Sequence, residues 1–117
     1  MKNVGICGSD VHYWTHGRGA RFSVDTEMVL GHEGSGKIIS IGSGVTNVKV
    51  DDRVSFEPGY PVENDEFTKR GMYNLSKVFF CATPPDDGCL CKYFVHKASY
   101  CYVMPEKMTY ELGKVIQ

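Results

Sequence analysis

Three residues in two short stretches carry groups that could do chemistry together. Cys7 lies in Gly5-Ile6-Cys7-Gly8-Ser9-Asp10-Val11-His12, which places a thiol, a hydroxyl and an imidazole close together in the chain. His32 and Glu33 sit side by side in Gly31-His32-Glu33-Gly34-Ser35-Gly36, and the bracketing glycines predict a backbone folded tightly beneath them. One thiolate sulfur, one imidazole nitrogen and one carboxylate oxygen form the donor set of a catalytic zinc site, with a fourth position left open. The same residues also fit a blander reading: a buried, hydrogen-bonded histidine, a surface carboxylate and an ordinary core thiol. Residue types alone leave both open.

The elements that must position these groups read as mostly β. Lys2–Ile6 is expected to be the end of a strand running into the Cys7 turn, and Gly8–Trp14 a short helix. The β-rich run Lys37–Ile41 closes on a Gly42-Ser43-Gly44 turn, and Asp51-Asp52 is expected to turn between Val48–Val50 and Arg53–Phe56. Residues 57–76 have no clear period and predict a long loop or small lobe. Thr83–Gly88, with two prolines, is a strong turn signal. Leu90–His96 and Tyr100–Met104 read as two more strands, and Thr109 as the N-cap of a helix from Tyr110. Short strands with frequent turns suggest a small barrel or sandwich, and both ends look cut.

Composition narrows the class. A chain of 117 residues buries one small core. A net charge of −1 gives no footing for nucleic acid or an anionic membrane surface. No run approaches the roughly 18 apolar residues of a membrane span. Met1–Gly5 has no apolar segment of the kind that directs secretion. Five cysteines, an odd number, then favour reduced thiols and a cytoplasmic location over a disulfide framework.

Three stretches, Gly5–Trp14, Gly31–Gly36 and Phe79–Gly88, resemble the sorbitol dehydrogenases of animal type, in the zinc-containing medium-chain alcohol dehydrogenase superfamily. Gly31–Gly42 also meets that superfamily's signature, G-H-E-x-x-G-x(5)-[GA]. The resemblance covers essentially the whole chain. It implies an incomplete GroES-like barrel over residues 1–117, without the Rossmann coenzyme domain that binds NAD in those enzymes. It implies one catalytic zinc on Cys7, His32 and Glu33, a proton relay through Ser9 and His12, and a polyol pocket touched by Tyr13, Phe80 and Thr83. The reaction implied is NAD-dependent oxidation of a polyol, sorbitol to fructose in type, by a homotetramer when the enzyme is full-length.

Departures from the pattern carry their own expectations. Many members hold a structural zinc on four cysteines; the matching positions here are Val62, Asp65, Thr68 and Ser76, so no structural zinc is expected. Gln117 stands where the resembling enzymes have a glutamate beside the zinc, and Asp51-Asp52 replaces a glycine-containing turn, with a local strain cost expected. Gly42-Ser43-Gly44 lacks the third glycine of a dinucleotide fingerprint and reads as a turn, so no cofactor-binding residue is assigned. The alternative to an enzyme part is a GroES-like module that binds zinc or a partner without catalysis. In either case this chain by itself is expected to be inactive.

Overall fold

Glycines place the central strand. In the computed structural model, which describes residues 1–19 and 22–116, β4 (Glu33–Lys37) lies between β1 (Asn3–Gly5) and β5 (Arg53–Phe56). Strand β8 (Cys101–Val103) adds outside β5, giving an antiparallel sheet in the order β1-β4-β5-β8. A Cβ on Gly34 would come within 2.7 Å of both Met1 and Phe56, so the chain passes where no side chain fits. Beneath His32 and Glu33 the expected tight backbone is thus met at Gly31, which takes φ 90°, while Gly34 lies in the extended strand and gives room.

That finding shifts the strand expected at Lys37–Ile41. It starts at Glu33 and ends at Lys37, because β1 and β5 flank only that span. Ile38 makes one further pair of bonds with the turn, its N–H to Asp52 and its carbonyl to the Asp51 N–H, both 2.9 Å. Beyond it Ile39 and Ile41 are exposed. Asp51 takes the left-handed conformation, φ 75°, so the strain expected at this turn is present. Its carboxylate meets Lys37 Nζ at 2.5 Å.

The other expectations hold unevenly. The helix after Cys7, α1, runs Gly8–His16 and ends on Gly17 in the left-handed conformation. A small hairpin follows, β2 (Arg18–Gly19) with β3 (Phe22–Ser23). The 57–76 lobe contains β6 (Gly59–Pro61), paired with β7 (Val78–Phe80), and one turn of helix, α2 (Glu66–Lys69). Asp65 caps α2 by accepting the Thr68 N–H at 2.9 Å. Thr109 caps α3 (Tyr110–Gly113) as expected. Leu90–His96 is not a strand. Its Tyr93 and Val95 face out while Phe94 and His96 turn inward, but among the described residues no strand pairs with it.

The core is thin. Phe56, Cys81 and Cys89 form its centre, packed by Met1, Val4, Phe79, Phe94 and Cys101. The sheet has two edges, β1 and β8, and does not close into a barrel. Among the described residues no helix is long and apolar enough to cross a membrane.

Candidate metal centre

Two structural decisions bring the donors together. The first is the start of α1. Cys7 is its N-cap, in extended conformation, which places the thiol at the positive end of the helix dipole. The second is the pairing of β1 with β4, which sets Gly5 directly opposite Glu33. A Cβ on Gly5 would lie 2.3 Å from the Glu33 carboxylate oxygen Oε2, so only glycine leaves space for that carboxylate to fold back toward the Cys7 turn. As a result, one donor atom each from Cys7, His32 and Glu33 lies within 4.8 Å of the others. Among the described residues this is the one cluster of three or more such groups.

Asp10 joins the two halves. It is buried, and its Oδ2 accepts the Cys7 N–H at 2.9 Å while its Oδ1 accepts the Gly31 N–H at 2.8 Å. The same Oδ1 lies 3.8 Å from His32 Nδ1. One carboxylate thus fixes the backbone on both sides of the cluster and faces one nitrogen of its imidazole. Such an outer-shell partner orients a metal-bound histidine and raises its basicity. The sequence reading assigned Asp10 no role. Its signal was the spacing Cys7-x-x-Asp10, which matches a capping box.

Beside the cluster opens a cleft of about 570 Å³, lined by His32, Glu33, Glu57, Tyr60, Tyr73 and Phe80 among others. Phe80 packs near His32, ring centroids 5.7 Å apart. Of the five other residues singled out from the sequence, Phe80 alone lines this cleft. Ser9 and His12 sit on the exposed side of α1. Tyr13 is buried against Gly19, where a Cβ would come within 2.9 Å of its ring. Thr83 lies in the turn after β7 and donates its N–H to Phe80, 3.1 Å. Gln117 lies outside the described residues.

The remaining thiols have a different character. Cys81 and Cys89 are fully buried, and burial pushes both thiols up to about 12. They stay neutral and act as core residues. In the 57–76 lobe, Val62, Asp65, Thr68 and Ser76 offer one carboxylate, Asp65, engaged in capping α2.

The family model for the alcohol dehydrogenase GroES-like domain matches residues 1–106. The chain belongs to this family. As a GroES-like alcohol dehydrogenase domain, it is 61% identical over 118 aligned positions to sorbitol dehydrogenase of Gallus gallus and 57% identical to that of Homo sapiens. Each comparison covers 100% of this chain and 33% of the relative, so the chain spans about a third of the length of the curated proteins it matches. Among solved structures, an oxidoreductase/dehydrogenase of unknown specificity from Escherichia coli superposes with a TM-score of 0.86 at 38% identity, over 96% of this chain and 33% of that one. Galactitol-1-phosphate dehydrogenase from Escherichia coli gives 0.83 at 30% identity, over 97% of this chain and 32% of that one. The resemblance read from three motifs is thus borne out, as is the mostly β, incomplete GroES-like fold.

Proposed function

We propose that this chain is the catalytic-domain part of a zinc- and NAD-dependent polyol dehydrogenase, oxidising a substrate of the sorbitol type to a ketose. The observation that carries the reading is the convergence of Cys7, His32 and Glu33 within 4.8 Å. The donor set fits zinc: sulfur, nitrogen and oxygen, three in number, beside a cleft able to admit a substrate. Bound there, zinc would supply a Lewis acid that acidifies a substrate hydroxyl, with NAD as hydride acceptor.

The chain's own residues do the rest. Asp10 holds the Cys7 turn and the Gly31–His32 backbone in fixed relation. Phe80 offers an apolar wall to the carbon chain of the polyol. Ser9 and His12 carry the released proton to solvent, since a hydroxyl can accept as it donates and an imidazole can take a proton on one ring nitrogen and release it from the other. Their exposure on α1 suits the outer end of such a path. Tyr13 and Thr83 are assigned to the polyol's hydroxyl groups. Neither lines the cleft, so their assignment rests on the resemblance. So do the cytoplasmic, homotetrameric state proposed for the full-length enzyme and the absence of a structural zinc.

The test is metal content after dialysis. One zinc per chain is expected, lost in Cys7→Ser and in His32→Ala. Two tightly held zincs would contradict the zinc-free reading of Val62, Asp65, Thr68 and Ser76.

A second reading, a zinc-binding module without catalysis, has its own support. Among the described residues every strand pair is antiparallel, and Gly42–Val45 is a turn closed by a 3.1 Å hydrogen bond with no helix behind it. Neither feature cradles a dinucleotide. The 117-residue chain by itself is therefore expected to give no NADH from sorbitol and NAD. Turnover by the purified chain would overturn that expectation.

A further inference from the structure

Helix α1 presents a pair of imidazoles that the cluster does not use. His12 and His16 are four residues apart on its exposed side, with ring centroids 5.2 Å apart and planes inclined by 31°. Two imidazoles held by one ion at about 2.0–2.1 Å have centroids at about this separation. One of the two rings is already set for the task. Thr15 Oγ1 lies 2.7 Å from the Val11 carbonyl and 2.7 Å from His16 Nδ1. A hydroxyl has one proton, and the carbonyl can only accept it. Oγ1 therefore accepts from His16 Nδ1–H, which leaves the Nε2 lone pair facing away and free. This is the outer-shell arrangement that fixes the tautomer of a metal-bound histidine. His16 also lies in the last turn of α1, where the helix dipole favours a cation. No other hydrogen bond or ion pair engages either ring among the described residues.

We propose that His12 and His16 form a surface site for a divalent transition-metal ion that imidazole suits, Ni²⁺ among them, separate from the Cys7–His32–Glu33 cluster. Two protein ligands with solvent completing the shell make it a weaker site than the cluster, one that dialysis empties. The site does not rest on the dehydrogenase reading, and a metal held on His12 would close the proton path assigned to that ring.

The experiment uses the untagged 117-residue chain and Ni²⁺, which suits imidazole and is presented both on a resin and in free titration. The wild-type chain is expected to be retained on immobilised Ni²⁺ and released by imidazole. His16→Ala is expected to pass unretained, with unchanged circular dichroism. Thr15→Val, which frees the His16 ring to rotate and change tautomer, is expected to weaken Ni²⁺ binding by about tenfold in titration. His32→Ala is expected to be retained like the wild type. Failure of the wild type to bind, retention of His16→Ala, unaltered binding by Thr15→Val, or loss of retention in His32→Ala would each overturn the assignment.

Discussion

Asp10 is the residue on which the cluster's geometry turns. It accepts the N–H of Cys7, 3 residues away, and that of Gly31, 21 residues away, and it faces His32. Asp10→Asn keeps the size and removes the charge, replacing one acceptor oxygen by a donor that meets an N–H. The substitution is expected to lower zinc affinity by about 10–100-fold while the fold survives. Competition with a chromogenic chelator measures it, and an unchanged affinity would show that Asp10 is only a cap. The donors themselves were legible through the motifs that carry the resemblance, Gly5–Trp14 and Gly31–Gly36, since their residue types alone left a blander reading open. Asp10 was not, because an acidic residue in the first turn of a helix has an ordinary reason to be there. Gly5 was legible as a motif glycine, but its purpose was not: the carboxylate it makes room for lies 28 positions away and is brought opposite by strand pairing.

At the scale of elements, α3 shows how a short helix survives. One turn has little stability of its own. Here the sheet holds it. Ser35 Oγ donates to the Tyr110 carbonyl at 2.7 Å and Ser55 Oγ to that of Gly113 at 2.6 Å, while Arg53 donates to the carbonyls of Glu106 and Met108. Gly113 is needed for this approach, since a Cβ there would strike Met104 Sδ and touch Ser35. Ser35 is fully buried, so Ser35→Ala removes that bond, leaves the Tyr110 carbonyl only the Lys114 N–H at 3.1 Å, and is expected to cost about 0.5–1.5 kcal/mol in urea unfolding. The exposed Ser43→Ala should stay within about 0.5 kcal/mol. Thr109 announced the helix in the sequence; its anchors did not show there, because serines in strands have no pattern that names their partners. Strand placement failed for a related reason. Isoleucines at 38, 39 and 41 look more β-like than Gly34 and Gly36, yet pairing on both sides favoured the residues without side chains. Leu90–His96 alternates as a strand should, but a strand also needs a neighbour.

At the scale of the whole molecule, a thin core makes its few buried polar groups consequential. His96 sits among Phe56, Tyr60 and Phe94, with Nε2 2.8 Å from the Glu57 carbonyl and Nδ1 buried without a partner. Burial holds its pKa below the ordinary 6.5, and the bond to Glu57 only partly offsets this. The folded state thus favours neutral His96, and the unfolded chain takes up the proton first as the pH falls. Its contribution to stability is full above about pH 6.5, declines as the pH drops through that value, and levels off below the folded-state pKa. Melting temperatures from pH 7.5 down to 5.5, recorded with a chelator present, should show this decline in the wild type and less of it in His96→Gln. Equal slopes would assign the decline elsewhere. The fold class was readable from turn spacing and motif, and the family comparison agrees. That the sheet stays open agrees with the incomplete barrel that the resemblance implied.

The central claim, that Cys7, His32 and Glu33 hold one metal ion together, is tested most directly by replacing zinc with Co²⁺. After dialysis, which empties the weaker histidine pair on α1, the account predicts one Co²⁺ per chain with near-ultraviolet thiolate-to-metal charge-transfer absorption, abolished by Cys7→Ser and by His32→Ala. A dialysed chain that holds Co²⁺ without that absorption, or that keeps it when Cys7 is replaced, would contradict the account.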